Sequence, residues 1–384
     1  MRNSGVQFEF ATASKVIFGK GSLDKVPGII AGMGNNVLIV TGKNQGRAGI
    51  LSNQISGKTL SFFSVESEPT IEMINVGVQL ARTEKCNLVI GFGGGSVIDA
   101  AKAIAALVPN DGELMDYLEV IGDGKPLLKK SLPVVAVPTT SGTGAEVTKN
   151  AVIKSEEHHV KVSLRSDFMY PDFAVVDPEI MVSMPTELTA STGVDALTHL
   201  LETFVSNQSN PFIDMFCREG MKRISQSLET AYFNGSDLNA LEDMAMASLL
   251  GGMALANVKL GAVHGFAGPV GGMFPAPHGV VCARFLPAVM EMNIAALMRQ
   301  NSDISKFDEI AKILTQNELA VAEDGIVWVK NLVQKLKIAS LSSFGITSKD
   351  FAELAAKAKN SSSMKGNPVV LNDEELIFIL EKSV

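Results

Sequence analysis

The chain is poor in the residues that mark several common protein classes. Of its 384 residues only three are cysteine, Cys86, Cys217 and Cys282, and no two of them have C-x-x-C spacing. Neither a disulfide framework nor a thiolate metal site is implied, and a reducing cytoplasm fits that usage. No cluster of lysine and arginine occurs and the formal net charge is −8, which argues against a nucleic-acid partner. The longest apolar stretch, Met244 to Val258, is broken by Ser248, Gly251, Gly252 and Asn257. It falls short of the ~20 residues that a membrane span needs and reads as a buried helix. The opening MRNSGVQFEF carries no signal-peptide core or cleavage site, so the expectation is a cytoplasmic protein without a membrane partner.

A hydrophobic content of 46% and a charged content of 19% describe a folded, soluble chain, and the length suits two domains. Up to residue 182, short apolar runs alternate with helical patterns. VLIVT (37–41), LSFF (60–63), LVIG (88–91), PVVAV (133–137) and FAVVD (173–177) read as buried strands. IEMINVGVQLARTEK and VIDAAKAIAAL between them read as amphipathic helices. Continuous apolar strands separated by helices predict a mainly parallel, Rossmann-like sheet covered on both faces. Beyond Pro185 helical periodicity dominates, interrupted at 261–279 and 360–367. The expected architecture is an α/β dinucleotide-binding domain over 1–182, followed by an all-helical metal-binding domain over 183–384.

Histidine is also scarce, with five in the chain. His158 and His159 stand together in SEEHHVK and read as a solvated turn. Asp195 and His199 are four residues apart in GVDALTHLLET, which places a carboxylate and an imidazole on one helix face. His264 and His278 follow in the same apolar half. One carboxylate with three imidazoles suits a borderline divalent ion, zinc or ferrous iron, rather than calcium or magnesium.

Two loops have the composition of a nucleotide site. After LVIG comes Phe92-Gly93-Gly94-Gly95-Ser96-Val97-Ile98-Asp99 and then a helix. Its glycines let the backbone approach a pyrophosphate, and the helix start offers unpaired N–H groups. Ser96 and Asp99 also form an S-x-x-D pattern close to a capping box, which needs no ligand. PVVAV runs into Pro138-Thr139-Thr140-Ser141-Gly142-Thr143-Gly144-Ala145-Glu146-Val147-Thr148, small polar residues at the carboxyl end of a strand, where open α/β sheets bind ligands.

These segments together resemble the iron-containing (group III) alcohol dehydrogenase family. The similarity runs from KVIFGKGSLDKV through GFGGGSVIDAAK, VPTTSGTGAEVT and DPEIMVSMPTELTASTGVDALTHLLE to GAVHGFAGPVGGMFPAPHGVVCA. It implies a dehydroquinate synthase-like two-domain architecture, with nucleotide and divalent metal meeting in the cleft between the domains, and a homodimer. Matched position by position, it implies Asp195, His199, His264 and His278 as metal ligands. Gly94, Gly95, Ser96 and Asp99 match contacts to the pyrophosphate and nicotinamide, Thr139, Thr140 and Thr148 match the second nucleotide loop, and Lys161 matches a lysine near the cofactor ribose. Asn150, Phe266 and Gly268 are expected at the substrate pocket, with Pro269 and Met273 as further apolar walls.

The chain departs from the family pattern in three places. Gly268 stands where many members have a second histidine in H-x-x-x-H, which enlarges the pocket and removes a proton-relay candidate. Gly42 replaces an aspartate common after the second strand; with Lys43 beside it, NADP is favoured over NAD. Glu68 stands where an asparagine is common. The implied chemistry is hydride transfer between a nicotinamide and a small alcohol or aldehyde whose oxygen a metal polarises. Glu202, three beyond His199, reads as a plain surface pairing in preference to a residue orienting a ligand. Alternatives are a glycerol- or hydroxyacid-type dehydrogenase, a dehydroquinate-synthase-like cyclase and a non-catalytic nucleotide binder. The cyclase would need clustered basic residues near the metal, and only Arg218, Lys222, Arg223 and Lys259 lie between Asp195 and His278.

Overall fold

The computed structural model describes residues 6–182 and 184–384. The chain divides into two compact units, one of Thr12–Pro185 with Asn234–Ala245, the other of the N-terminal segment to Ala11 with Thr186–Phe233 and Met246–Val384.

In the first unit the strands are β1 (Lys15–Phe18), β2 (Asn36–Gly42), β3 (Thr59–Val65), β4 (Leu88–Gly93), β5 (Val134–Pro138), β6 (Asn150–Ser155), β7 (Val160–Arg165) and β8 (Phe173–Val176). Helices α1 (Val26–Ile30), α2 (Gly49–Ser52), α3 (Ile71–Thr83), α4 (Gly95–Leu107) and α5 (Leu114–Tyr117) alternate with them. Six strands form one sheet in the order β1-β8-β5-β4-β2-β3, and every pairing in it is parallel. Successive side chains point to opposite sides, and the central strands β2, β4, β5 and β8 are buried on both faces, while the edge strands β1 and β3 are part-exposed. Val37, Ile39 and Ile90 pack with Val26, Ile30 and Leu51 on one side. Leu38, Val40 and Val89 pack with Ile74, Ala101 and Ile104 on the other. Each of these valine, leucine and isoleucine side chains withdrawn from water contributes about 1.5–3 kcal/mol.

All five apolar runs of the sequence are strands of this sheet. Three further strands were not legible as such. β1 has only four residues, none fully buried. β6 and β7 form an antiparallel hairpin in which Lys154, Lys161 and Arg165 alternate with the apolar positions, so neither strand stands out as an apolar run. The turn joining them is exposed and carries His158 and His159, the latter at φ +51°.

The second unit is helical: α6 (Thr186–Val205), α7 (Pro211–Phe233), the C-terminal part of α8 (Leu238–Asn257), α9 (Ala262–Met273), α10 (His278–Arg299), α11 (Ser305–Thr315), α12 (Ala322–Lys335), α13 (Phe351–Lys359) and α14 (Asp373–Ser383). Helix α6 is buried almost all round from Thr189 to Val205, the mark of a helix enclosed by others, and it packs on α7 and α10. Helix α10 is long and apolar enough to span a membrane by composition alone, yet 78% of that stretch is buried. It is the core helix of this unit, packed against α6, α9, α12 and α14.

Candidate metal centre and nucleotide loops

Three helices bring the metal candidates together. Asp195, His199 and Glu202 occupy positions i, i+4 and i+7 of α6 and therefore share one face. His264 lies in the first turn of α9, and His278 is the first residue of α10. The Nε2 atoms of His264, His278 and His199 lie 3.6, 3.7 and 3.9 Å from the same oxygen, Asp195 Oδ1. Those distances are too long for hydrogen bonds. Asp195 Oδ1 is closed to solvent and has no hydrogen-bond partner, an arrangement that costs free energy unless something fills it. Two donors about 2.1 Å from a tetrahedral ion are about 3.4 Å apart. The spacing and chemistry of this set therefore fit a divalent cation. The His278 side chain is 36% exposed whereas those of Asp195, His199 and His264 are buried, so the cluster opens on the His278 side.

The electrostatics agree. Burial alone would raise the Asp195 carboxyl, but the surrounding imidazoles of His199, His278 and His264 hold it well below the usual carboxylate range.

Glu202 corrects the sequence reading. It is buried, and its Oε2 accepts a 2.6 Å hydrogen bond from His264 Nδ1. Its Oε1 accepts from the Val263 backbone N–H at 2.6 Å. A carboxylate can only accept, so Nδ1 carries a proton, and Nε2, facing Asp195, is the nitrogen left to bind an ion. The same carboxylate neutralises the positive end of α9. Gly261 makes that approach possible, since a Cβ there would lie 2.9 Å from Glu202 Oε1. Local spacing carried the signal: D-x3-H-x2-E puts all three side chains on one stripe.

Cys282 was also missed. It follows His278 by one turn of α10, and its Sγ lies 3.6 Å from His278 Nε2 and 3.7 Å from His264 Nε2. One donor atom each from Asp195, His264, His278 and Cys282 falls within 4.8 Å of the others. The absence of C-x-x-C spacing concealed a thiol that reaches the cluster through an H-x3-C pair.

In the α/β unit the two Gly- and Thr-rich loops are neighbours because β4 and β5 are, with Gly93 paired to Pro138 and the Thr139 N–H donating to the Gly93 carbonyl at 2.9 Å. Gly94 is the N-cap of α4 and has no side-chain cap, so the helix start is left to backbone N–H groups, as an anion site requires. A Cβ on Gly95 would meet the Thr143 side chain at 2.7 Å; glycine is what lets the two loops close up. Thr140 and Ser96 are part-exposed there, and Thr139 is buried. Gly42 ends β2, on the other side of β4, with only Val97 at 4.0 Å from a Cβ built on it. The chain order reverses between β2 and β4, the switch point where open α/β sheets take ligands.

Several expectations change here. Asp99 does not reach back to cap α4: its carboxylate accepts from the Val152 N–H at 3.0 Å and pairs with Lys102 at 2.9 Å. Lys102, unremarked in the sequence, is fully buried. Its ammonium donates to the Ala145 carbonyl and to Thr148 Oγ1, both at 2.9 Å, and to the Asn150 carbonyl. It thus ties α4 to the second loop, and the Thr148 hydroxyl is engaged inside the protein. Lys161 is bound to Glu68 at 2.5 Å, which accounts for the glutamate at that position and occupies the lysine. Phe266 is fully buried and stacked on Phe285 at 4.8 Å, so it is part of the helical core and not an open pocket wall. Gly268 has no atom within 4 Å of a built Cβ, consistent with room at that position.

Comparison with known proteins gives concordant matches. Residues 13–178 match the family model "Iron-containing alcohol dehydrogenase", and residues 189–384 match "Fe-containing alcohol dehydrogenase family, C-terminal". The chain is 34% identical over 376 residues to alcohol dehydrogenase 4 of Schizosaccharomyces pombe, covering 96% of this chain and 87% of that protein. It is 31% identical to choline dehydrogenase of Bacillus subtilis, covering 98% and 94%. Among solved structures, a 1,3-propanediol oxidoreductase superposes with a TM-score of 0.92 at 31% identity, covering 99% of this chain and all of that one.

Proposed function

The chain belongs to the iron-containing alcohol dehydrogenase family, and from that premise we propose which residues hold its cofactors and what it acts on. It is an oxidoreductase acting on CH–OH groups, with a nicotinamide nucleotide and a divalent metal. Asp195, His199, His264 and His278 are the proposed ligands of Fe2+ or Zn2+. The observation that carries this is the buried Asp195 Oδ1 with three imidazole nitrogens around it. Held there, such an ion would supply Lewis-acid polarisation of a substrate C–O group, and a bound nicotinamide would supply the hydride chemistry.

The chain's own groups set the conditions. Asp195 contributes a formal negative charge facing the ion, and Glu202 holds His264 with Nε2 turned towards it. The exposed His278 side is the proposed approach for substrate. Gly94, Gly95 and Ser96 at the start of α4, with Thr139 and Thr140 beside them, are proposed to take the pyrophosphate. Gly42 offers neither a side chain nor a charge against a 2′-phosphate, and Lys43 next to it is exposed; both favour NADP over NAD. The proposed substrates are small alcohols and the matching aldehydes, in keeping with the alcohols named for the relatives. A cyclase reading is disfavoured because Arg218 is paired with Glu309 and Arg223 with Glu219, so neither is free to hold a substrate phosphate. We place the enzyme in the cytoplasm as a homodimer.

The test is elemental analysis of anaerobically purified protein together with NADPH and NADH oxidation across an aldehyde panel. His199→Ala should lose metal and most turnover. Near-normal turnover with unchanged metal content would reject the ligand assignment.

A further inference from the structure

We propose that Cys282 Sγ is itself a ligand of the ion, giving this chain a sulfur donor beside Asp195 and the three histidines. The inference rests on the metal site proposed above. His278 and Cys282 stand four apart on α10, so both side chains leave one face. An ion with one bond to sulfur of about 2.3 Å and one to nitrogen of about 2.05 Å, at the roughly 90–120° angles of a five-donor shell, sets those atoms about 3.1–3.8 Å apart. Cys282 Sγ lies within that range of two imidazoles at once, 3.6 Å from His278 Nε2 and 3.7 Å from His264 Nε2.

A thiol hydrogen bond would account for one of these contacts. It does not account for both, nor for the third side of the cluster. Asp195 Oδ1 faces the same point, buried and without a hydrogen-bond partner, and the four donor atoms close within 4.8 Å of one another. His264 Nδ1 is taken up by Glu202, so Nε2 is the nitrogen left to face the cluster. The donor atoms of Asp195, His264, His278 and Cys282 converge on one point, and the sulfur is among them. Sulfur also makes the shell softer than an all-nitrogen and oxygen set, so it favours zinc over manganese or magnesium.

The chain offers a clean test because its other thiols are engaged elsewhere. Cys217 Sγ lies 3.3 Å from Thr203 Oγ1, and Cys86 is buried in the α/β core. X-ray absorption at the zinc edge is measured on the full-length, zinc-loaded protein and on Cys282→Ser, both prepared without thiol reductants. The wild type should show one sulfur scatterer at about 2.3 Å, together with nitrogen and oxygen donors at about 2.0–2.2 Å and an imidazole pattern. The serine variant should keep the imidazole pattern and lose the sulfur. An imidazole-rich shell without sulfur in the wild type, or sulfur that persists in the variant, overturns the role of Cys282 while leaving the histidine site intact. Absence of imidazole scattering in the wild type overturns both. Should the variant not fold, the wild-type spectrum decides alone.

Discussion

Glu202 shows how much one side chain settles at this site. Its two oxygens hold His264 Nδ1 and the Val263 N–H, so a single carboxylate orients a proposed metal ligand and closes the start of a helix. Outer-shell partners of this kind typically change metal affinity about 10–100-fold. Glu202→Gln keeps the shape and removes the charge; chelator competition should show a loss in that range. Unchanged affinity would mean the carboxylate serves only as a helix cap. Glu146 presents a different case. Burial, its largest influence, pushes its carboxyl up from 4.5 to about 7, against the nearby Lys102 ammonium. An acid whose folded value lies above its unfolded one holds its proton better when folded. Its ionisation therefore weakens the fold progressively as pH rises from about 4.5 to 7, and the full cost, about 3 kcal/mol, applies above that range. Glu146→Gln should be more resistant to urea than the wild type at pH 8 and no different at pH 4. The same gain at both pH values would show that the effect is not one of ionisation.

At the scale of the element, helix starts do most of the positioning. His278 is the first residue of α10, and the approach of that helix to α6 depends on Gly279, where a Cβ would lie 2.4 Å from the Ser191 carbonyl oxygen. Ser191 is one turn before Asp195, so this contact sets the separation of two proposed ligands. Gly279→Ala forces backbone to move, since a carbonyl cannot rotate away as a side chain can. It should destabilise the protein by about 1–3 kcal/mol and lower bound metal per chain, read by urea denaturation and elemental analysis together. Full metal occupancy in a folded Gly279→Ala protein would show that α10 does not need this close approach. In α4 the corresponding device is Lys102, whose buried ammonium joins Asp99, Ala145, Thr148 and Asn150. The glycines leave room for the proposed nucleotide, and the lysine ties α4 to the second loop.

On the scale of the whole molecule, the two kinds of ligand belong to different compact units. The proposed metal donors all lie in the helical unit and the nucleotide loops in the α/β unit. A ligand that binds only the folded state adds stability by mass action, about 4 kcal/mol at a thousandfold excess over its Kd. Removing the metal with a chelator should lower the calorimetric transition of the helical unit, while NADPH should raise that of the α/β unit. A thermogram unaffected by the chelator would contradict a metal that is part of the folded helical unit.

The sequence by itself determined the α/β-then-helical order, five strands of the parallel sheet and the Asp195–His199 pair, because each is written in local periodicity of two or of about 3.6 residues. It also carried the two Gly- and Thr-rich loops, which follow directly on strands. The antiparallel β6–β7 hairpin escaped it, since alternating lysines dilute the apolar signal. Tertiary structure alone decided that His264 and His278, from two other helices, face the same oxygen of Asp195, and that Glu202 turns inward to a histidine 62 residues away. It alone brought Cys282 to that cluster and gave Lys102 to the second loop. Contacts over such distances arise from how helices and strands pack, through a glycine that permits an approach or a buried charge that demands a partner, whereas local spacing such as D-x3-H-x2-E or H-x3-C shows only that side chains share a helix face.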